Sequence, residues 1–547
     1  WTANKTLMQG ITTYWETLRH LRPVQFYGRA WFKIFRPPIG RTSAPPLSRH
    51  EGLRADPILC RPSMEGPVQF RFLNYLHSLP DTGGWEEKRL EKLWLYNLHY
   101  FDDLNAENSR ERTQWHRDLI NRWVVENESG KGTGWEPYPT SLRIVNWIKW
   151  ALAGHLLDSE WLHSLAIQTR WLQSRLEWHL MGNHLFANAK ALIFAGVFFE
   201  GSEANGWLKT GLRILDKEIT EQVLEDGGHF ELSPMYHSIV LEDVIDLLNV
   251  SQTWPRKFTN TIVQMWRDTA EKMLVWLSVT THPDGKISFF NDATFGIASS
   301  SRSLRDYATR LDMDIPKRKL GSVWHLASSG YVRITMGDAS ALLDVAKIGP
   351  DYMPGHGHAD TLSFEFTIKD QRIFVNSGTS LYEPGIKRLR QRGTRSHNTV
   401  EIDGKNSSEV WESFRVAKRA KPMGFKKWCK NNCIMVQCSH DGYQRLPGRP
   451  IHHREWKLGA NYFEVKDVIY GSFKMAVSRF YMHPDIQLVD GDKLVLPSGT
   501  ELLYSIEGGI VSFERSKWYP EFGVEMLSNC LKIEFKSETV KVNFYWN

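Results

Sequence analysis

Apolar residues recur at three- and four-residue spacings through SLRIVNWIKWALAGHLL (141–157), NHLFANAKALIFAGVFF (183–199) and SIVLEDVIDLLNV (238–250). That period belongs to helices that bury one face. Short breaks rich in Gly, Pro and Asp, such as ESGKGTGWEPYP (128–139) and EDGGHFELSP (225–234), separate them. A run of helices with short connections predicts stacked antiparallel hairpins arranged as a bundle, a solenoid or a toroid. No repeat is strict enough to fix its period. From about Ser322 the period changes to two. SGYVRITMG, ALLDVAKIG, DTLSFEFTIKD, QRIFVNSG, HNTVEIDG, YFEVKDVIYG and LKIEFKS read as short strands closed by turn residues. Strands in succession without helices between them predict an antiparallel β-sandwich. The expected organisation is multidomain α+β: an N-terminal arm over residues 1–62, a helical domain over 63–320 and a β-sandwich over 321–547. A cleft between the two large domains is the natural ligand site.

The arm mixes basic and aromatic residues in LRHLRPVQFYGRAWFKIFRPP (18–38). Such a segment suits a polyanion or a membrane surface, but a strap along the main domain is the simpler expectation. The net charge of +6 and the 23 Trp among 547 residues agree with a partner that is anionic and ring-shaped, without requiring one. No dense Lys/Arg block, zinc finger or RNA-binding signature points to nucleic acid. No apolar run approaches the ~20 residues of a membrane helix, so stable membrane insertion is not expected. The five cysteines (Cys60, Cys429, Cys433, Cys438 and Cys530) form no disulfide framework. CKNNCIMVQC fits no zinc-ribbon spacing and reads as buried thiols in a strand pair.

Four motifs carry candidate chemistry. MGNHLFANAK opens an apolar helix with Asn183 and His184, and LSPMYHS puts Tyr236 and His237 at a turn-to-helix junction. In PGHGHADTLSFEF, His356 and His358 lie two apart where a strand is expected to begin, which turns both imidazoles to one side. RQRGTRSHNTVEIDG carries Arg395, His397 and Asn398 into another strand. Each motif alone fits a helix cap, a packed histidine or a solvated loop as well as a site.

Taken in order, the four motifs resemble those of the heparinase II/III-like lyases, with the likeness running from about Trp94 to Phe414. The resemblance implies an incomplete (α/α) toroid followed by an antiparallel β-sandwich. It also implies β-elimination on a uronic-acid polysaccharide, a glycosaminoglycan, alginate or bacterial exopolysaccharide. The C5 proton of a uronate is weakly acidic beside a charged carboxylate. The enzyme must therefore neutralise that carboxylate, take the proton and give one to the leaving oxygen. By resemblance Asn183 binds the carboxylate, His184 is the neighbouring histidine some relatives use as base, Tyr236 is the catalytic acid or acid and base, and His356 reaches over from the sandwich.

No cofactor is required for that chemistry. Some relatives hold a structural metal through a histidine, an aspartate and a second histidine, positions filled here by His358, Asn376 and His397. An amide is a poorer zinc ligand than a carboxylate, so weak or absent zinc is expected; retained zinc would imply another ligand such as Asp360. The upstream segment GTGWEPYPTSLRIVNWIKW (132–150) resembles a cleft-lining stretch, offering Trp135 and Tyr138 to stack on sugar and Arg143 and Asn146, with Arg395, to bind anionic groups. A periplasmic or secreted setting fits such a substrate. The rival readings are a glycoside hydrolase built on Glu225, Asp226 and Asp292, which needs two carboxylates flanking the bond, and a polysaccharide binder without catalysis.

Overall fold

The computed structural model describes residues 12–314, 321–489, 491 and 493–547. The arm's first eleven residues lie outside them. The arm contributes helix α1 (Pro23–Ile34), and a three-stranded antiparallel sheet follows over residues 64–78, where helix was expected. The helical domain then runs through α2 (Lys92–Tyr100), α3 (Thr113–Glu126), α4 (Pro137–Leu152), α5 (Ser159–Ser174), α6 (Gly182–Phe198), α7 (Ser202–Gln222), α8 (Pro234–Thr253), α9 (Asn260–Thr280) and α10 (Ser301–Arg310). Neighbouring helices pack as antiparallel hairpins, α6 on α7 and α8 on α9, in an incomplete (α/α) toroid. Its core is rich in tryptophan: Trp94, Trp123, Trp147, Trp150, Trp161, Trp207 and Trp266 are fully buried. The high Trp content is therefore largely core, each indole removing a large apolar surface from water.

The second domain is a β-sandwich. A five-stranded antiparallel sheet (Val323–Phe374) and a four-stranded sheet that includes Ala476–Tyr481 face an eight-stranded sheet beginning at Pro422–Lys430. Alternating inward residues interlock between them, with Phe366 stacked on Phe463 at 4.5 Å. Helix α11 (Ile386–Arg392) interrupts the strands, a departure from the all-strand expectation. Cys433 and Cys438 are buried in the expected strand pair, while Cys429 is exposed.

The arm straddles the two domains. Gln25 Nε2 donates to the carbonyl of Tyr352 at 3.1 Å and the Arg22 guanidinium lies 3.7 Å from that ring's centroid. Arg22 also pairs with Glu221 of α7, and Phe32 packs on His179 at 4.5 Å. The strap expectation holds for α1, but it ties the toroid to the sandwich rather than lying along one of them. Among the described residues no helix is long and apolar enough to cross a membrane.

Candidate active site

Asn183 and His184 occupy the first turn of α6. The chain reaches them through two left-handed residues, Met181 (φ 64°) and Gly182 (φ 56°). Glycine is favoured at 182 by that positive φ, and its bare Cα also leaves room for the flexible end of Met353 from the sandwich domain, whose Cε would lie 2.3 Å from a Cβ. His184 Nδ1 donates to Glu177 Oε1 at 3.1 Å, and the ring packs on Tyr138 at 4.4 Å. Glu177 is held in turn by Asn188, whose Nδ2 donates to Oε2 at 3.1 Å. Burial pushes the His184 pKa down, but Glu177 more than offsets it and the net direction is upward. With Nδ1 committed to Glu177, Nε2 is the nitrogen left without a hydrogen-bond partner among the described residues.

Tyr236 lies in the first turn of α8. Ser233 caps that helix by accepting the Tyr236 N–H, and Pro234 sits at N1, a strong local start signal. Ser233 Oγ also donates to the Asp292 carbonyl at 2.6 Å, so the cap joins the helix to the loop behind the site. The Tyr236 hydroxyl meets that of Tyr382 at 3.0 Å, and its ring packs on His356 with centroids 3.9 Å apart. Burial, then Tyr382, raises the Tyr236 pKa well above that of a free phenol. The resting side chain is a protonated phenol, suited to giving a proton.

His356 comes from the sandwich side, in a turned loop; its strand begins only at Phe364. The expected extended pair is replaced by a turn, yet His356 and His358 still converge on one carboxylate. His356 Nδ1 donates to Asp292 Oδ2 at 2.9 Å, and His358 Nε2 to Oδ1 at 2.8 Å. Arg388 of α11 grips both oxygens at 2.5 and 2.6 Å, and Thr379 donates to Oδ1 at 3.1 Å. Burial alone would raise the Asp292 pKa; Arg388 and the two histidines hold it well below the usual carboxylate range. On its other side His356 Nε2 stands 3.6 Å from Glu231 Oε2. Glu231 is buried and its Oε1 has no hydrogen-bond partner, a costly state unless a ligand or proton satisfies it. Left-handed Leu232 (φ 60°) and Asn291 (φ 57°) flank Glu231 and Asp292, placing backbone strain at the site.

The structure therefore pairs His184 with Tyr138 and Tyr236 with His356, sets Glu231 near both histidines and leaves Asn183 beside His184 in the first turn of α6; the motifs miss Glu177, Glu231, Tyr382 and Arg388. Several cleft-lining expectations need correction. Trp135 is 3% exposed and packs on Trp123 and Trp171 in the toroid core, out of reach of sugar. Arg143 is fully buried, donating to Gln168 Oε1 at 2.9 Å and the His99 carbonyl at 3.1 Å while stacked 3.8 Å over Trp123. Asn146 spends its amide hydrogens on Asp102 Oδ1 and the Tyr100 carbonyl. Arg395 is exposed on the sandwich, 3.6 Å from Glu514. The hydrolase carboxylates fare no better. Asp292 is sealed and fully bonded, Asp226 accepts from Ser329 and Gly228, and Glu225 is exposed.

Behind the site, His358, Asp360 and His397 are buried with one ligand atom of each within 4.8 Å of the others. Asn376 touches this group through its Oδ1, which accepts from His397 Nδ1 at 3.3 Å and from the Asn398 N–H at 3.3 Å.

Comparison with known proteins finds the same two-part organisation. Residues 89–315 match the family model for the heparinase II/III N-terminus and residues 318–546 that for the heparinase II/III-like C-terminal region. A heparin-sulfate lyase from Bacteroides stercoris is 30% identical over 327 residues, covering 55% of this chain and 46% of the relative. One from Pedobacter heparinus is 28% identical over 275 residues, 45% of this chain and 40% of the relative. The matched part thus spans less than half the length of these curated relatives. Among solved structures, a heparinase III superposes with a TM-score of 0.70 at 18% identity, over 86% of this chain and 80% of that one. A heparan sulfate lyase mutant from Pedobacter heparinus gives 0.58 at 17% identity, over 96% and 88%.

Proposed function

The chain belongs to the heparinase II/III-like family, and from that membership and the cleft's geometry we propose that it cleaves a glycosaminoglycan-type uronate polymer by β-elimination. The observation that carries this reading is the stacking, across two domains, of a neutral phenol at Tyr236 on the His356 imidazole, with a second imidazole, His184, near the same buried Glu231 and each imidazole oriented by its own carboxylate. A hydrolase has no use for that set.

The roles follow from the bonding. Asn183 makes no side-chain hydrogen bond among the described residues, so its amide is free to donate to the uronate carboxylate. His356, whose Nδ1 donates to Asp292, turns its Nε2 edge toward the same group. Together they favour the enolate that forms when the C5 proton leaves, an effect worth roughly 2.7–4 kcal/mol per donor in other enzymes. His184 takes the proton through Nε2, with Glu177 fixing the ring and stabilising its charged form. Tyr236 delivers its proton to the departing glycosidic oxygen, and Tyr382 offers the hydrogen bond that steadies the phenolate left behind.

Charge supports a polyanionic substrate. Arg29 of the arm and Arg175 of the toroid both stand near His179, beside His184, and Arg36 stands near Arg175. Such a cluster draws in a chain carrying carboxylates and sulfates. The test is a panel of heparan sulfate, heparin, chondroitin sulfate and alginate, read by ultraviolet absorbance of the unsaturated uronate. Absorbance rising with a glycosaminoglycan supports the reading. New reducing ends without that absorbance would establish hydrolysis instead.

A further inference from the structure

We infer that the solvent face of the eight-stranded sheet is a second polysaccharide-binding surface, which holds an acidic chain without cutting it. The ligand class rests on the proposed function; the surface itself is built from residues outside the cleft. From Val416 to His440 the chain carries six Lys and Arg and no Asp or Glu. Within that stretch Pro422–Lys430 is the edge strand of the sheet, paired only with Cys433–His440. Lys426, Lys427 and Lys430 are exposed, and none of them pairs with a carboxylate among the described residues. Lysines on an edge strand discourage pairing with another sheet, and alone they would mean no more than that. Their register adds something. Side chains alternate along a strand, so Lys426, Trp428 and Lys430 share one face, opposite Gln437, Met435 and Cys433. The alternate residues Ile434 and Val436 are in the sandwich core, so this face is the outer one.

The second observation is an aromatic shelf beside those lysines. Tyr462 occupies the same outer face, where its hydroxyl meets Cys433 Sγ at 2.7 Å. Gly459 gives the ring room to lie across the sheet, since a Cβ at 459 would collide with it. Lys457 Nζ stands 5.2 Å from that ring's centroid. Tyr545, directly opposite Tyr462 in the last strand, is 45% exposed, and the two ring centroids are 6.5 Å apart. Lys430 and Tyr545 belong to strands four spacings apart in the sheet order. At about 4.8 Å per spacing the surface runs roughly 19 Å, the scale of an oligosaccharide rather than of one ring.

Rings with an apolar body and a polar tip suit the faces of pyranose rings. Ammonium groups beside them supply point charges for carboxylate and sulfate. Glu455 and Glu464 share this face, but Lys466 stands 3.4 Å from Glu455 and Lys457 lies opposite Glu464 in the register. The uncompensated charge is therefore that of the edge-strand lysines. The surface also lies away from the catalytic side. The other face of the sheet packs inside the sandwich, and it is the five-stranded sheet that meets the toroid, where Arg333 donates to the Thr281 carbonyl at 2.6 Å. A polymer held on the far face stays at high effective concentration for the cleft, as in any two-site binder whose span the chain can bridge.

The test measures binding of the full chain, carrying Tyr236→Phe to suppress cutting, to immobilised heparin over a range of salt. Adding Lys426→Glu and Lys430→Glu together should weaken binding about 10-fold at low salt and flatten its salt dependence. Tyr545→Ala should weaken it about 2- to 10-fold at any salt. Melting temperatures should match, since all three side chains are exposed. With Tyr236 restored, the lysine variants should turn over a short oligosaccharide as the parent does while KM for the polymer rises. Heparin binding that is absent in the parent, or unchanged in the folded lysine variant, overturns the inference. Single-stranded DNA competing as well as heparin would overturn the assignment to polysaccharide. Failure of the two readings is distinguishable. A chain that cuts no uronate polymer yet loses heparin binding in the lysine variant keeps this surface and loses the proposed function. Intact cleavage beside unchanged binding does the reverse.

Discussion

Two buried aspartates carry nearly the same partners. Asp292 takes two bonds from Arg388 and one each from His356, His358 and Thr379. Asp467, in the eight-stranded sheet, takes two from Arg454 at 2.7 and 2.8 Å, one from His452 at 2.7 Å and one from Ser478 at 2.9 Å. The difference lies in what surrounds them. Every partner of Asp467 is sealed in the sandwich, whereas His356 is 16% exposed and stacks on Tyr236 at the domain boundary. The same charge chemistry is scaffold where it is closed and site where one histidine opens on a cleft. A buried Arg–Asp–His network is therefore no functional signal until its exit to a cavity has been found.

The sharpest way to break this contrast is at the open end. Tyr236→Phe removes one oxygen and should lower kcat by about 10²- to 10⁴-fold, the usual range for a lost general acid. Its melting temperature should stay near the parent's, because the Ser233 cap and the ring packing survive; unaltered turnover would take Tyr236 out of the mechanism.

Next come the two aspartates themselves. Asp292→Asn and Asp467→Asn should each cost roughly 3–5 kcal/mol by stranding a buried arginine. Only Asp292→Asn should also lower kcat per folded molecule, by about 10- to 100-fold through misplacement of His356, an effect of the size seen for outer-shell partners. Both carboxyls are held below their ordinary range. Their stabilisation is thus full above the unfolded value of about 3.9 and drains as pH falls. Thermal melts from pH 7 to pH 3 should show a flatter acid limb in either variant. Equal loss of kcat in both would erase the distinction between site and scaffold.

Glu177 tests the toroid side. It raises the His184 pKa against burial, and a base works only when neutral. The acid limb of kcat/KM should therefore lie above the free-histidine value of about 6.5. Glu177→Gln should move that limb to lower pH while reducing the plateau. A limb that does not move would assign the base elsewhere. The smallest effect expected is at the arm: Arg29→Ala should raise KM only about 1.5- to 5-fold, as for an exposed ion pair, and the rise should vanish at high salt.

The change from a period near four to a period of two made the helical and β halves legible, and the motif order pointed to Asn183, His184, Tyr236 and His356 as candidates, of which the structure stacks Tyr236 on His356. What resisted was anything decided by three-dimensional closure. Arg143 sits among apolar residues at helical spacing and reads as one polar position on a helix face; only Trp123, from another helix, makes it a core residue. Trp135 follows a glycine-rich break and looks exposed, but its 3-10 turn folds it inward. Asp292 lies 64 residues from His356, in a segment without a distinctive pattern, and surfaced only as a hydrolase candidate. Glu231 falls in the break EDGGHFELSP, one residue before the LSPMYHS motif, and nothing local marks its orphaned oxygen.

The central claim is that Tyr236 and His356, contributed by different domains, act as one proton-transfer assembly. Single-turnover rates for Tyr236→Phe, His356→Ala and the double variant, on a glycosaminoglycan the parent cleaves and after circular dichroism confirms folding, test it directly. Groups acting as a unit do not add, so the double variant should be about as slow as the slower single variant. Losses that multiply would mean independent contributions and would contradict the account.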